Sequence, residues 1–129
     1  MSRPRIRHLA LYAPDTRALA DFYMRVFDME EMRAAGPPGK GPVFLTDGHV
    51  NLAILPLTAK GEAAPGLNHF GFEVDDRRKI ERRLAREGVA PPELRPAGRY
   101  AELRAADPMG NIFDLSEGGF VGEESEKRA

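Results

Sequence analysis

Two histidines and one aspartate carry the first chemical signal in the chain. His8 and His69 each sit inside a short run of strand-forming residues, and Asp114 sits inside a third. Two imidazole nitrogens and a carboxylate suit several first-row divalent metals, and a set of three leaves coordination positions open for a substrate. The chain has no cysteine. Thiolate zinc sites, iron–sulfur ligation, a disulfide framework and a cysteine nucleophile are therefore excluded, and any metal must be held by nitrogen and oxygen. A lone strand histidine is more often a hydrogen-bonded interior residue than a ligand, and what raises this pair above that reading is a repeat. Ile6-Arg7-His8-Leu9-Ala10-Leu11-Tyr12 leads into Pro14-Asp15 and an amphipathic run, as Leu67-Asn68-His69-Phe70-Gly71-Phe72-Glu73-Val74 leads into Asp75-Asp76 and another. The histidines lie 61 residues apart, and the glycines of Asp47-Gly48 and Met109-Gly110, each ahead of an apolar segment, lie 62 apart.

Strand alternation decides which side chains share a surface. Leu9 and Leu11, then Phe70, Phe72 and Val74, then Phe113 and Leu115 are the apolar sets that should pack against helices. His8, His69 and Asp114 fall on the opposite face, where they can converge on one concave surface. Glu73 shares the parity of His69 and is a catalytic acid/base candidate if burial raises its pKa. His49, at the Gly48 turn, reads as a solvated loop residue. Glu117 has the opposite parity to Asp114 and replaces it only if a bulge shifts the last strand. Arg95, Arg99 and Arg104 offer guanidinium contacts to an anionic substrate or serve as surface charge.

The elements that must position these residues follow the repeat. Each half reads as strand, helix and three strands. The first half predicts a strand over 5–12 and a helix capped at Asp15 or Thr16, with the stripe Leu19, Phe22, Tyr23, Val26 and Phe27. A short strand over 30–35, a turn-rich loop over 36–42 and a hairpin of 43–46 with 50–55 complete it. The second half predicts a strand over 67–74, a charged helix over 77–87 stopped by Gly88, a loop marked by Pro91, Pro92 and Pro96, and a closing hairpin of 101–106 with 111–116. The expected fold class is α+β, two repeated βαβββ modules forming a curved mixed sheet or half-barrel with both helices outside. One domain over 1–129 is expected, with modules at about 5–56 and 67–117 and a polar tail over 118–129.

Composition fits that picture. At 129 residues, 42% hydrophobic and 30% charged, the chain is an ordinary folding domain. Its net charge of −1 provides no field for nucleic acid or an anionic membrane. No signal-like or membrane-spanning apolar run is seen, so the expected partners exclude nucleic acid and membrane and the expected location is the cytoplasm. A chain of this size closes a modest core, which points to a homodimer.

The doubled pattern, with a histidine in the first strand of each half and Asp107-Pro108-Met109-Gly110-Asn111-Ile112-Phe113-Asp114-Leu115 at the end, resembles the vicinal oxygen chelate superfamily over roughly residues 5–117. That group includes glyoxalase I, methylmalonyl-CoA epimerase, extradiol dioxygenases, fosfomycin-resistance proteins and bleomycin-resistance binding proteins. The resemblance implies a cavity built by two modules and a metal held by nitrogen and oxygen ligands that chelates vicinal substrate oxygens. It matches His8 and His69 to the family's metal histidines and Asp114 to a position where many members carry glutamate. It also places Leu52 in the substrate pocket, where glyoxalase I and the epimerase carry a Glu or Gln ligand. Arg104 stands where extradiol dioxygenases carry a tyrosine. A two-base glyoxalase mechanism thus lacks its second carboxylate, and dioxygenase chemistry lacks its acid.

The implied function is a divalent-metal-dependent enzyme, lyase, isomerase or dioxygenase, acting on a small molecule with vicinal oxygens. The ion, Fe, Mn, Zn, Ni or Co, would stabilise an enolate, or activate oxygen if it is iron. The alternative is a metal-free protein that sequesters a small molecule, as bleomycin-resistance proteins do.

Overall fold

The computed structural model describes residues 3–34, 41–57, 64–96 and 101–117. The chain runs β1 (Arg5–Ala13), α1 (Thr16–Phe27), β2 (Glu30–Ala34), β3 (Val43–Thr46), β4 (Asn51–Pro56), β5 (Gly66–Glu73), α2 (Arg77–Arg86), β6 (Glu93–Leu94), β7 (Leu103–Ala106) and β8 (Ile112–Ser116). The eight strands form one curved mixed sheet in the order β2-β3-β4-β1-β5-β8-β7-β6, so the molecule is α+β and the two βαβββ modules lie side by side. Each module places its first strand parallel to its last, β1 beside β4 and β5 beside β8. The modules meet where β1 and β5 pair antiparallel. Both halves therefore join within one chain, and the first strand of each lies at the centre of the sheet.

The two helices cover one face. Asp15 caps α1 by accepting the Ala18 N–H at 3.0 Å, and Asp76 caps α2 by accepting from Arg78 and Lys79. Under α1 lie Ala13, Val43, Leu45, Leu52 and Ile54, with Leu19, Ala20, Tyr23 and Met24 of the helix packed against them. Under α2 lie Val74, Leu103, Phe113 and Leu115, joined by Phe70, Phe72, Ile80 and Leu84. The apolar parity read in β1, β5 and β8 is the helix-facing side. The predicted stripe of α1 needs correction. Its inner face runs Thr16, Leu19, Ala20, Tyr23 and Met24, whereas Phe22, Val26 and Phe27 are 45%, 53% and 63% exposed. The rotation follows from Thr16, whose hydroxyl donates to the Gly41 carbonyl at 2.7 Å and turns the small Thr16 and Ala20 side chains onto the sheet.

The closing hairpins use the same device twice. Asp47 Oδ1 accepts from the His49 and Val50 N–H groups, and Asp107 Oδ1 accepts from Met109 and Asn111, with Gly48 and Gly110 at φ near +90°. The repeat in the sequence is thus a repeat of turn chemistry. The prolines after α2 predict loop throughout that stretch. It contains the two-residue strand β6, paired with β7 through Glu93 and Leu94, because Pro91, Pro92 and Pro96 flank those two residues without removing their donors. The strand expected from residue 101 begins at Leu103. Residues 35–40, Arg99 and the tail 118–129 lie outside the described residues. Among the described residues no helix is long and apolar enough to cross a membrane.

Candidate metal centre

Cross-strand pairing draws a polar row over the other face of the sheet. Its members, in spatial order, are Glu30, Thr46, Asn51, His8, Gly71, Asp114, Arg104 and Glu93, each the register partner of the next. Directly paired residues share a face, so one line of polar side chains crosses both modules. At its middle Gly71 has no side chain. The space between His8 and Asp114 is left for His69, two residues earlier on the same face of β5 and opposite Ala10. One nitrogen of each histidine and one Asp114 oxygen lie within 4.8 Å of one another. All three residues are buried, at 2%, 5% and 2% exposure.

The protonation states suit cation binding. Burial first and the neighbouring His69 ring second lower the His8 pKa from 6.5 to about 4, with Asp114 pulling the other way and the Arg104 charge adding a last, smaller push downward. Its imidazole is neutral at physiological pH. Burial alone would raise the Asp114 carboxyl, but its polar contacts with His69 and Arg104 and the guanidinium charge outweigh that and hold it at about 2. His69 Nδ1 lies 2.8 Å from Asn68 Oδ1. With Nδ1 held there, the ring turns its Nε2 into the cavity, 3.3 Å from Asp114 Oδ2.

Arg104 is the fourth actor. Its Nε donates to Asp114 Oδ1 at 2.7 Å and its Nη2 to Oδ2 at 3.2 Å, while Nη2 also lies 3.3 Å from His69 Nε2. A guanidinium already engages both oxygens of the carboxylate that would hold a metal. The Arg104 side chain is 27% exposed against 3% for Asp114. A cavity of about 80 Å³ beside them is lined by Tyr12, Leu55, His69, Arg95, Ala101, Arg104 and Asp114.

The donor set fits a borderline divalent ion by its chemistry, with two imidazoles, one ionised carboxylate and buried surroundings. A second sign is Asn51. It is 5% exposed, sits opposite His8, and its Nδ2 has no hydrogen-bond partner among the described residues. An unsatisfied buried amide costs about 1–3 kcal/mol, a cost that a ligand bound on this face would offset.

The remaining sequence candidates lie elsewhere. Leu52 belongs to the apolar layer beneath α1 and does not line the cavity. Its neighbour Asn51 occupies the cavity face of β4, and the parity rule applied to β4 would have found it, because Leu52 and Ile54 are that strand's helix-facing pair. Glu73 stands two residues beyond Gly71, opposite Arg5, and accepts from Arg7 Nη1 at 3.2 Å. It lines a separate cleft of about 520 Å³ with Arg5, Arg7, Asp75 and Glu117. Glu117 accepts the Arg77 N–H at 2.7 Å, which places it at the start of α2. His49 is exposed.

Residues 5–115 match the sequence model of the Glyoxalase/Bleomycin resistance protein/Dioxygenase superfamily. An uncharacterized protein of Pseudomonas aeruginosa is 33% identical, with 95% of each chain aligned. A trivalent organoarsenical cleaving enzyme of Thermomonospora curvata is 34% identical over 66% of this chain and 56% of its own length. Among solved structures, methylmalonyl-CoA epimerase of Streptomyces coelicolor superposes with a TM-score of 0.64 at 19% identity, covering 91% of this chain and 97% of the epimerase. At that identity the likeness is one of fold.

Proposed function

Because the chain belongs to the Glyoxalase/Bleomycin resistance protein/Dioxygenase superfamily, we propose that it is a divalent-metal-dependent enzyme acting on a small molecule that presents two adjacent oxygens. The observation that carries this reading is the convergence of His8, His69 and Asp114 donor atoms to within 4.8 Å in a buried site. A bound ion would supply Lewis acidity at the substrate oxygens. His8 and His69 would contribute imidazole nitrogens and Asp114 the charge, and Asn68 keeps the His69 Nε2 turned inward. Tyr12 and Leu55 wall the cavity, where they limit water beside the reacting oxygens. Arg104 lies at its rim, placed to meet a negative charge on the substrate.

The substrate of the organoarsenical-cleaving relative is not carried over. Trivalent arsenic is soft and favours thiolate ligands, and this chain has none. A metal-free binding protein is the second reading, and one observation favours it: Arg104 already supplies Asp114 with a bidentate cation.

Titration of chelator-treated protein with Mn(II), Fe(II), Co(II), Ni(II) or Zn(II) decides between them. One ion per chain is expected to bind near neutral pH, and His8→Ala, His69→Ala and Asp114→Ala should each weaken it by at least about a hundredfold. Absence of uptake by both the unmodified protein and a variant lacking the Arg104 charge would leave the metal-free reading.

A further inference from the structure

Arg104 has a carboxylate on each side of it. On β7 its register partner toward the centre of the sheet is Asp114, and its partner toward the edge is Glu93 of β6. Directly opposed residues in antiparallel pairs lie about 4.5–5.5 Å apart at Cα and project from the same face. Both acids are thus within reach of one guanidinium without movement of the backbone. Their surroundings differ: Asp114 is buried and Glu93 is exposed. Arg104 lines two hollows at once, the small cavity of His69 and Asp114 and a cleft of about 620 Å³ that also contains Glu87, Glu93 and Asp107.

The charges at the inner seat conflict with metal loading. Asp114 is the single carboxylate of the donor set, and it already neutralises a guanidinium. A divalent ion bound beside an unmoved Arg104 would leave three positive charges against one negative in a buried site, which is strongly unfavourable. Expelling the guanidinium to bulk water forfeits its ion pair. The acid on the neighbouring strand offers a replacement.

We infer that Arg104 is a positioning residue with two seats, paired with Asp114 when the site is metal-free and turned to Glu93 when Asp114 serves a divalent ion. The inference rests on the metal reading above. Arg104 then sets metal affinity by competition, and Glu93 sets it in the opposite sense by receiving the displaced charge. The arrangement keeps the buried carboxylate compensated in both states. It also ties the position of the rim guanidinium, and so any anionic substrate group it meets, to whether the ion is present.

Mn(II) titration by calorimetry tests this on chelator-treated protein, wild type and variants. Arg104→Gln should bind Mn(II) about tenfold more tightly or better, and Glu93→Gln about threefold or more weakly, magnitudes ordinary for coupled sites. In the Arg104→Gln background, Glu93→Gln should change nothing, because the charge it receives is gone. Arg104→Lys, which restores the cation, should restore the dependence on Glu93. An Arg104→Gln affinity no tighter than wild type overturns the proposal. So does an equal effect of Glu93→Gln in both backgrounds, which is the signature of long-range charge alone. Glu93 is exposed and its variant is expected to fold. Wild-type affinity in that variant overturns the proposal even if Arg104→Gln proves unstable. Wild-type binding with unaltered variants defeats the two-seat mechanism alone, whereas no binding in either wild type or Arg104→Gln defeats the metal reading with it.

Discussion

His8 is the residue at which burial and chemistry pull hardest against each other. Held at about 4 in the fold, against 6.5 as its ordinary value, it takes up a proton more readily in the unfolded chain. Its contribution is therefore fully present above pH 6.5 and is lost as pH falls toward 4, to a total of about 3 kcal/mol. Urea unfolding with chelator present should show that slope between pH 7 and pH 4.5, and His8→Gln should flatten it. A wild-type profile level over this window would contradict the burial argument. The Asp114 window lies lower, below 3.8, and does not overlap it. At this scale the sequence was readable wherever alternation was applied. His8, His69 and Asp114 share a face because Leu9, Phe70, Phe113 and Leu115 take the other. The family resemblance points to Leu52 on β4, but the apolar pair Leu52 and Ile54 faces the helix and leaves Asn51 for the other face. The grip of Arg104 on Asp114 was also latent in the spacing, since the Asp107–Gly110 turn sets the two opposite one another. What alternation alone could not supply was which strand lies beside β7 at the edge of the sheet.

At the scale of the element, helix termini account for two of the carboxylates outside the buried cluster. Asp76 satisfies the Arg78 and Lys79 donors, and Glu117 satisfies that of Arg77. Glu117 is thereby occupied at the head of α2, on the helix side of the sheet. Asp76→Ala and Glu117→Ala should each cost about 1 kcal/mol of stability while leaving divalent-ion affinity at the wild-type value. Thermal melts beside metal titrations read both quantities. A large loss of affinity in Glu117→Ala would mean that the parity of the last strand is shifted by one residue, turning Glu117 to the face assigned to Asp114. Element existence was readable from periodicity for both helices and seven of the strands. The eighth, β6, has two residues and is shorter than any periodic pattern, and bulk does not set the inner face of α1, because the small residues Thr16 and Ala20 let the helix approach the sheet.

For the whole molecule, the exposed apolar side chains matter most. Phe22, Val26 and Phe27 of α1, with Leu67 of β5, remain substantially exposed in the single chain, and large apolar groups in such number favour association. A homodimer is expected at micromolar concentration by sedimentation equilibrium, shifting toward the 14.3 kDa monomer when Phe22 and Phe27 are both changed to Ser. A wild-type chain that sediments only as monomer would remove this expectation.

The junction of β1 with β5 determines when the site can come into being. Its pairs join residues about sixty positions apart, and loops of that length close late compared with a hairpin or a helix. Each half can form its own turns from local information, yet neither half owns a complete set of donors: His8 comes from one, and His69 and Asp114 from the other. The centre is thus a product of docking. Its three donor residues stay separate in a chain still searching until the two copies of the pattern find each other along that single antiparallel seam.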